Sequence, residues 1–96
     1  MSGTVELNAI TKKNFTLLEI FLSDTISREV LRKIEVPTVH GSGVVISGRA
    51  PIWLYAFLVH ELHPAAWIAC YDSHIGKGIV VATHTQGISV GDLIEV

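Results

Sequence analysis

G-V-V-I-S-G-R-A-P-I-W-L-Y-A-F-L-V-H-E-L-H-P, residues 43 to 64, contains the corner on which the fold depends. Val44-Val45-Ile46 is a short, unbroken β-branched run, the mark of a strand covered on both faces. Ser47-Gly48-Arg49-Ala50 then reads as a strand-to-helix corner. Pro51 suits the first turn of the helix, and Pro64 stops it. Between them, Ile52 to Val59 are apolar nearly all round. A helix of that kind needs cover on two sides, one from the sheet and the other, on this reading, from a partner subunit.

Upstream, Val5 to Ile10 and Phe15 to Leu22 read as a hairpin around the turn residues Thr11 to Asn14. Ser27 can cap a further short helix in which Val30, Leu31 and Ile34 share a face, and Pro37 prevents its continuation. Downstream, Ala66 to Tyr71 is a buried strand, Asp72 to Gly78 a turn, Ile79 to Thr83 a returning strand and Leu93 to Val96 a last short one. The order β-β-α-β-α-β-β-β predicts an α/β fold: a mixed β-sheet with a parallel centre and two helices, in a single domain over residues 1 to 96.

Composition narrows the function. Seven Lys plus Arg against nine Asp plus Glu leave no basic face for duplex DNA, so any nucleic-acid ligand is short and held locally. Apolar residues are 49% of the chain and charged ones 17%, more apolar side chain than so small a domain hides alone, which predicts a homo-oligomer. Cys70 is the single cysteine and sits in an apolar run, so it reads as a buried core residue with no disulfide partner. The start of the chain lacks the pattern of a signal peptide. The longest apolar run, Ala50 to Val59, is about half of the roughly 20 residues that a membrane span needs. A cytoplasmic protein with no membrane contact is expected.

Several residues are candidates for chemistry, each beside a plainer reading. At the corner, Gly48 permits close backbone approach and Arg49 offers a planar fork matched to phosphate, although an ordinary tight turn with a solvated arginine has the same sequence. His60 and His63 are one helical turn apart. As a metal pair that spacing is a weak signal, and two helix-end histidines beside the negative end of the dipole explain it as well. His40, beside Gly41, reads as a loop residue. Asp72 and His84 each end a strand and could hold a divalent metal, or Asp72 could simply start a turn.

The blocks G-V-V-I-S-G-R-A-P-I-W-L at 43 to 54, A-F-L-V-H at 56 to 60, Y-D at 71 and 72, and I-V-V-A-T-H at 79 to 84 resemble one family. It is the small manganese-dependent ring nuclease family associated with type III CRISPR systems, and K-N-F-T-L at 13 to 17 and G-D-L-I-E-V at 91 to 96 also fit it. The resemblance implies a fold akin to the CRISPR-associated Rossmann-type domains. It further implies a homodimer that assembles into a tetramer or filament around cyclic tetraadenylate, which is linearised to switch off the antiviral response. By the same resemblance, the binding corner comes from one dimer and the catalytic groups from the other.

Carried over residue by residue, the resemblance makes Ser47, Gly48, Arg49 and Pro51 ligand-binding, His60, Asp72 and His84 catalytic, and Asp72 with His84 the ligands of Mn²⁺. The family pattern has an arginine two residues after the aspartate, where this chain has His74, and a neutral imidazole is a poorer phosphate clamp than guanidinium. Two other functions remain beside ring cleavage: a non-catalytic cyclic-oligoadenylate sensor, and a 3′ exonuclease that deadenylates short RNA.

Overall fold

Six strands form one mixed sheet in the computed structural model, which describes residues 3–96. They are β1 (Val5–Thr11), β2 (Phe15–Leu22), β3 (Gly43–Ser47), β4 (Trp67–Asp72), β5 (Lys77–Thr83) and β6 (Leu93–Ile94), and they lie side by side in chain order. β2 pairs with β3 and β3 with β4 in parallel, while the flanking pairs β1–β2, β4–β5 and β5–β6 are antiparallel. One α-helix, α1 (Ile52–Glu61), connects β3 to β4.

This architecture corrects the expected fold. The chain is a mostly-β mixed sheet with a single α-helix, not an α/β domain of Rossmann type with two helices. The segment after Ser27 forms only a 3-10 turn, Arg28–Arg32, and Ser27 contributes no side-chain cap. Its backbone bonds begin as i to i+3 contacts, Val30 N–H to the Ser27 carbonyl and Lys33 N–H to the Val30 carbonyl. With Pro37 so near, the segment is too short to offset the cost of nucleating an α-helix.

The second reason is topological. A doubly wound sheet reverses its strand order and places helices on both faces. Here β2, β3 and β4 follow one another without reversal, and both crossovers cover the same face. Ile26, Leu31, Ile34 and Val36 from the first connection join Leu54, Leu58 and Leu62 from the second in one core cluster with Leu18, Val44, Ile46 and Ile68. Leu54, Leu58 and Leu62 recur every fourth residue and are buried, each contributing about 1.5–3 kcal/mol by that burial. The outward side of α1 stays open in the single chain, with Ile52 86% exposed. Pro51 stands one position earlier than expected, as the N-cap rather than inside the first turn.

The opposite face has a thinner cover. Leu17, Val45, Trp67, Ala69 and Val80 form its buried cluster, flanked by Phe15, Tyr71, Ile88 and Ile94. Trp67 lies flat over Gly43, where a Cβ would fall 1.8 Å from its ring, so the glycine is the seat of the indole. Cys70, expected in the core, is only half-buried, because alternation turns it toward the helix face near the exposed end of β4. Among the described residues, no helix is long and apolar enough to cross a membrane.

Candidate functional site

β3 and β4 run parallel, so their carboxyl ends share one edge of the sheet, here called the carboxyl pole. Ile46 pairs with Cys70, which sets Ser47 beside Tyr71 and brings the following Gly48 and Arg49 level with the end of β4. Ser47, Gly48, Arg49, Tyr71 and Ser73 line an open cleft of about 360 Å³ at this pole. Arg49 is exposed and makes no ion pair among the described residues, so its guanidinium is available to an anion.

Gly48 shapes the corner. Its φ is +126°, a conformation that side-chain-bearing residues rarely adopt. A Cβ there would also sit 2.5 Å from the Ile20 carbonyl oxygen of β2. The close approach expected of this glycine is therefore made to the neighbouring strand. The Tyr55 hydroxyl donates to the Gly48 carbonyl at 2.7 Å, so the helix ties down the corner that precedes it.

Asp72 closes β4 at the same pole and holds a turn. Its Oδ1 accepts the His74 N–H at 2.8 Å, and its carbonyl accepts the Gly76 N–H at 2.8 Å. The His74 ring stands out in solvent with Nδ1 3.5 Å from that carboxylate. The turn uses one carboxylate oxygen of Asp72 and leaves Oδ2 without a recorded partner among the described residues.

His60 and His84 lie elsewhere. α1 runs back along the sheet, and its last turn carries His60 to the end where β4 begins. β5 returns antiparallel to β4, so His84 arrives at that same end and its N–H donates to the Ala66 carbonyl at 2.8 Å. His63 lies here too, with its ring 6.3 Å from that of His60 and its Nδ1 3.2 Å from the His60 carbonyl, which is the expected helix-end position. This is the amino pole. The five steps from Trp67 to Asp72 separate it from the carboxyl pole by about 17 Å.

The residues singled out from the sequence thus divide in two. Ser47, Gly48, Arg49, Pro51 and Asp72 gather at the carboxyl pole, and His60 and His84 at the amino pole. No three His, Cys, Asp or Glu side chains converge as a metal site among the described residues. Within one chain Asp72 and His84 do not fit as ligands of one ion. A shared ion would need the carboxyl pole of one subunit against the amino pole of another. Tyr71 and Ser73 line the cleft without having been singled out as binding residues. Alternation along β4 carries the signal for Tyr71, which must share the face of Ala69 and lie next to Ser47.

Tyr55 of α1 and Cys70 of β4 shift their titration. Burial raises the Cys70 thiol above its ordinary 9.0, and burial, with a smaller effect from the nearby Cys70, raises the Tyr55 phenol above its ordinary 10.0. Folding therefore favours both protonated forms. That stabilisation is fully present below the unfolded-state values and is lost as pH rises through the raised folded-state ones. Chemical denaturation between pH 8 and 11 should show stability falling from about pH 9 upward. A Tyr55→Phe, Cys70→Ala double variant should lose part of that slope. At pH 7 Tyr55→Phe alone should cost about 1 kcal/mol, for the bond to Gly48.

Residues 19–95 match the family described as CRISPR-associated protein (Cas_csx3), a span that takes in the corner, α1 and both poles. A protein of Aquifex aeolicus (strain VF5), described only as an uncharacterized protein, is 39% identical over 85 residues, covering 83% of this chain and 77% of that one. With most of its length inside the family match, the chain belongs to the CRISPR-associated Cas_csx3 family.

Proposed function

We propose that the protein is a ring nuclease that binds cyclic tetraadenylate and opens it, ending a type III CRISPR signal. The observation that carries this reading is the cleft at the carboxyl pole, where Arg49, with no ion pair among the described residues, stands beside Gly48 and two serines. Such a corner suits a phosphodiester, and it offers a small anion a local site on a chain of net charge −2.

The separation of the poles supports an assembly in which the site is completed between subunits. The carboxyl pole of one subunit would present Arg49 and Asp72 to the ring, and the amino pole of the next would bring His60 and His84 from the other side. Such a head-to-tail contact extends into a filament unless its rotation closes. In that arrangement Arg49 balances charge on the phosphate under attack. Asp72 is placed to accept a proton from the nucleophile, and the exposed His60 imidazole to exchange one with the leaving oxygen. Manganese belongs to the proposal through the family resemblance alone.

A second reading, a non-catalytic sensor of the ring, is favoured by one observation: Ser47, Gly48 and Arg49 line one cleft within a single chain, whereas His60 and His84 lie at the opposite pole from Asp72. Incubation with cyclic tetraadenylate and Mn²⁺ separates the two. Linear product over many turnovers supports the nuclease, and an intact ring after many equivalents supports the sensor. Equilibrium binding should also show Arg49→Ala weakening the ring by about tenfold or more, as expected for loss of a charge-assisted contact worth roughly 1.5 kcal/mol or above. Arg49→Lys should fall between, since it keeps the charge without the fork. An unchanged dissociation constant for Arg49→Ala would reduce the corner to a turn.

A further inference from the structure

The cleft is small. About 360 Å³ lies near the bottom of the range, roughly 300–1,000 Å³, in which small-molecule sites fall. That space matches about one nucleotide, and a ring of four would extend out of this open cleft. Its walls also differ in chemistry from side to side. Arg49 supplies the cation, Ser47 and Ser73 supply hydroxyls that both donate and accept, and Gly48 leaves the floor without a side chain. The remaining wall is Tyr71, a half-buried aromatic on the face away from α1. Its phenol end lies toward the turn after β4, where a Cβ on Gly76 would stand 3.9 Å from the hydroxyl oxygen.

An inorganic anion would use Arg49 and the hydroxyls and would gain nothing from an aromatic wall. A nucleotide uses all of them: phosphate on the guanidinium, ribose against the hydroxyls and base on the tyrosine ring. We infer that each carboxyl-pole cleft binds a single nucleotide unit, with Tyr71 as the residue that carries its base. The inference rests on the proposed function for the identity of the whole ligand, and not for the chemistry of the pocket. Tyr71 acts through its ring face, so the phenol hydroxyl is dispensable for this role.

The probes are adenosine 5′-monophosphate and ribose 5-phosphate, titrated into the wild-type protein and followed by amide chemical shifts and calorimetry. The nucleotide should bind at least tenfold more tightly than the sugar phosphate, with the largest shifts at Ser47, Gly48, Tyr71 and Ser73. Tyr71→Leu should remove that preference and leave the sugar phosphate unaffected, Tyr71→Phe should keep it, and Arg49→Ala should weaken both probes alike. Equal affinities in the wild type, no binding of the nucleotide in the millimolar range, or shifts centred elsewhere would overturn the assignment. These wild-type measurements stand even where Tyr71→Leu fails to fold. If the nucleotide binds as described and the cyclic ring is neither bound nor opened, the pocket holds and the ring-nuclease reading fails. If the ring is opened by Tyr71→Leu with unchanged affinity, the reading holds and the pocket assignment fails.

Discussion

His60→Ala protein should bind cyclic tetraadenylate with wild-type affinity and leave it uncut, and adding the equally inactive Arg49→Ala protein should bring cleavage back. Removing a proton-transfer group typically lowers the rate by about 10²–10⁴-fold, and removing a group that balances charge on the reacting phosphate by about 10²–10³-fold beyond its effect on binding, so both single variants are silent enough for the recovery to be seen. Recovery follows from the placement of the two residues at poles about 17 Å apart on one subunit. In a random mixture of equal parts, roughly one interface in four pairs an intact corner with an intact histidine, which sets the ceiling on recovery in a head-to-tail assembly.

The same geometry sorts the remaining residues. Asp72 shares its pole with Arg49, so Asp72→Asn should complement His60→Ala and should not complement Arg49→Ala. This differs from the grouping that the family resemblance implies, in which Asp72 stands with His60. Asparagine preserves the bond from the His74 N–H and hence the turn, so a loss of activity in Asp72→Asn reports on the lost charge. A mixture of His60→Ala and Arg49→Ala that co-assembles and still leaves the ring intact would place the whole site within one subunit.

Gly48→Ala should destabilise the fold by about 3 kcal/mol or more, lowering the melting temperature by at least about 10 °C for a domain of this size. Two effects combine. A φ of +126° strains any side-chain-bearing residue, and the added Cβ meets the Ile20 carbonyl oxygen at 2.5 Å. That oxygen belongs to β2, whose pairing with β3 at Glu19 and Ser47 leaves it no room to retreat. Gly87→Ala is the control. Gly87 also has a positive φ, +89°, but a Cβ there meets nothing within 4 Å, so only the backbone term of about 1 kcal/mol applies. Similar melting temperatures for the two variants would show that β2 yields at the corner, and would remove the reason for calling it rigid.

The sequence by itself was informative wherever the physics is local. The β-branched and aromatic run from Phe15 to Leu22 is β2, Val44 to Ile46 lies in β3, and the span between Pro51 and Pro64 holds α1, because strand preference, a fixed proline φ and apolar spacing act over a few residues. The Ser-Gly-Arg corner was legible for the same reason: a tight turn between strand and helix calls for glycine, and the structure bears on that glycine directly at +126°.

Local preference misled after Ser27, where three apolar residues at helical spacing yield only a 3-10 turn. Two of those side chains, Leu31 and Ile34, do reach the core, but as part of a cluster with Leu54 and Leu58, which lie twenty or more residues away in the chain. Strand order was equally invisible, since a crossover reads the same whether the sheet continues or reverses. The continuing order is what places both crossovers on one face and leaves no switch-point crevice.

Only the tertiary structure decided how the candidate residues are grouped. Arg49 and His60 are eleven positions apart in sequence, and a ten-residue helix of about 15 Å carries them to opposite ends of the sheet. Arg49 and Asp72 are twenty-three apart, and parallel pairing of β3 with β4 sets them at the same edge. Separation along a chain measures neither distance, because a helix spends residues on length while a parallel crossover returns the chain to the edge from which it set out.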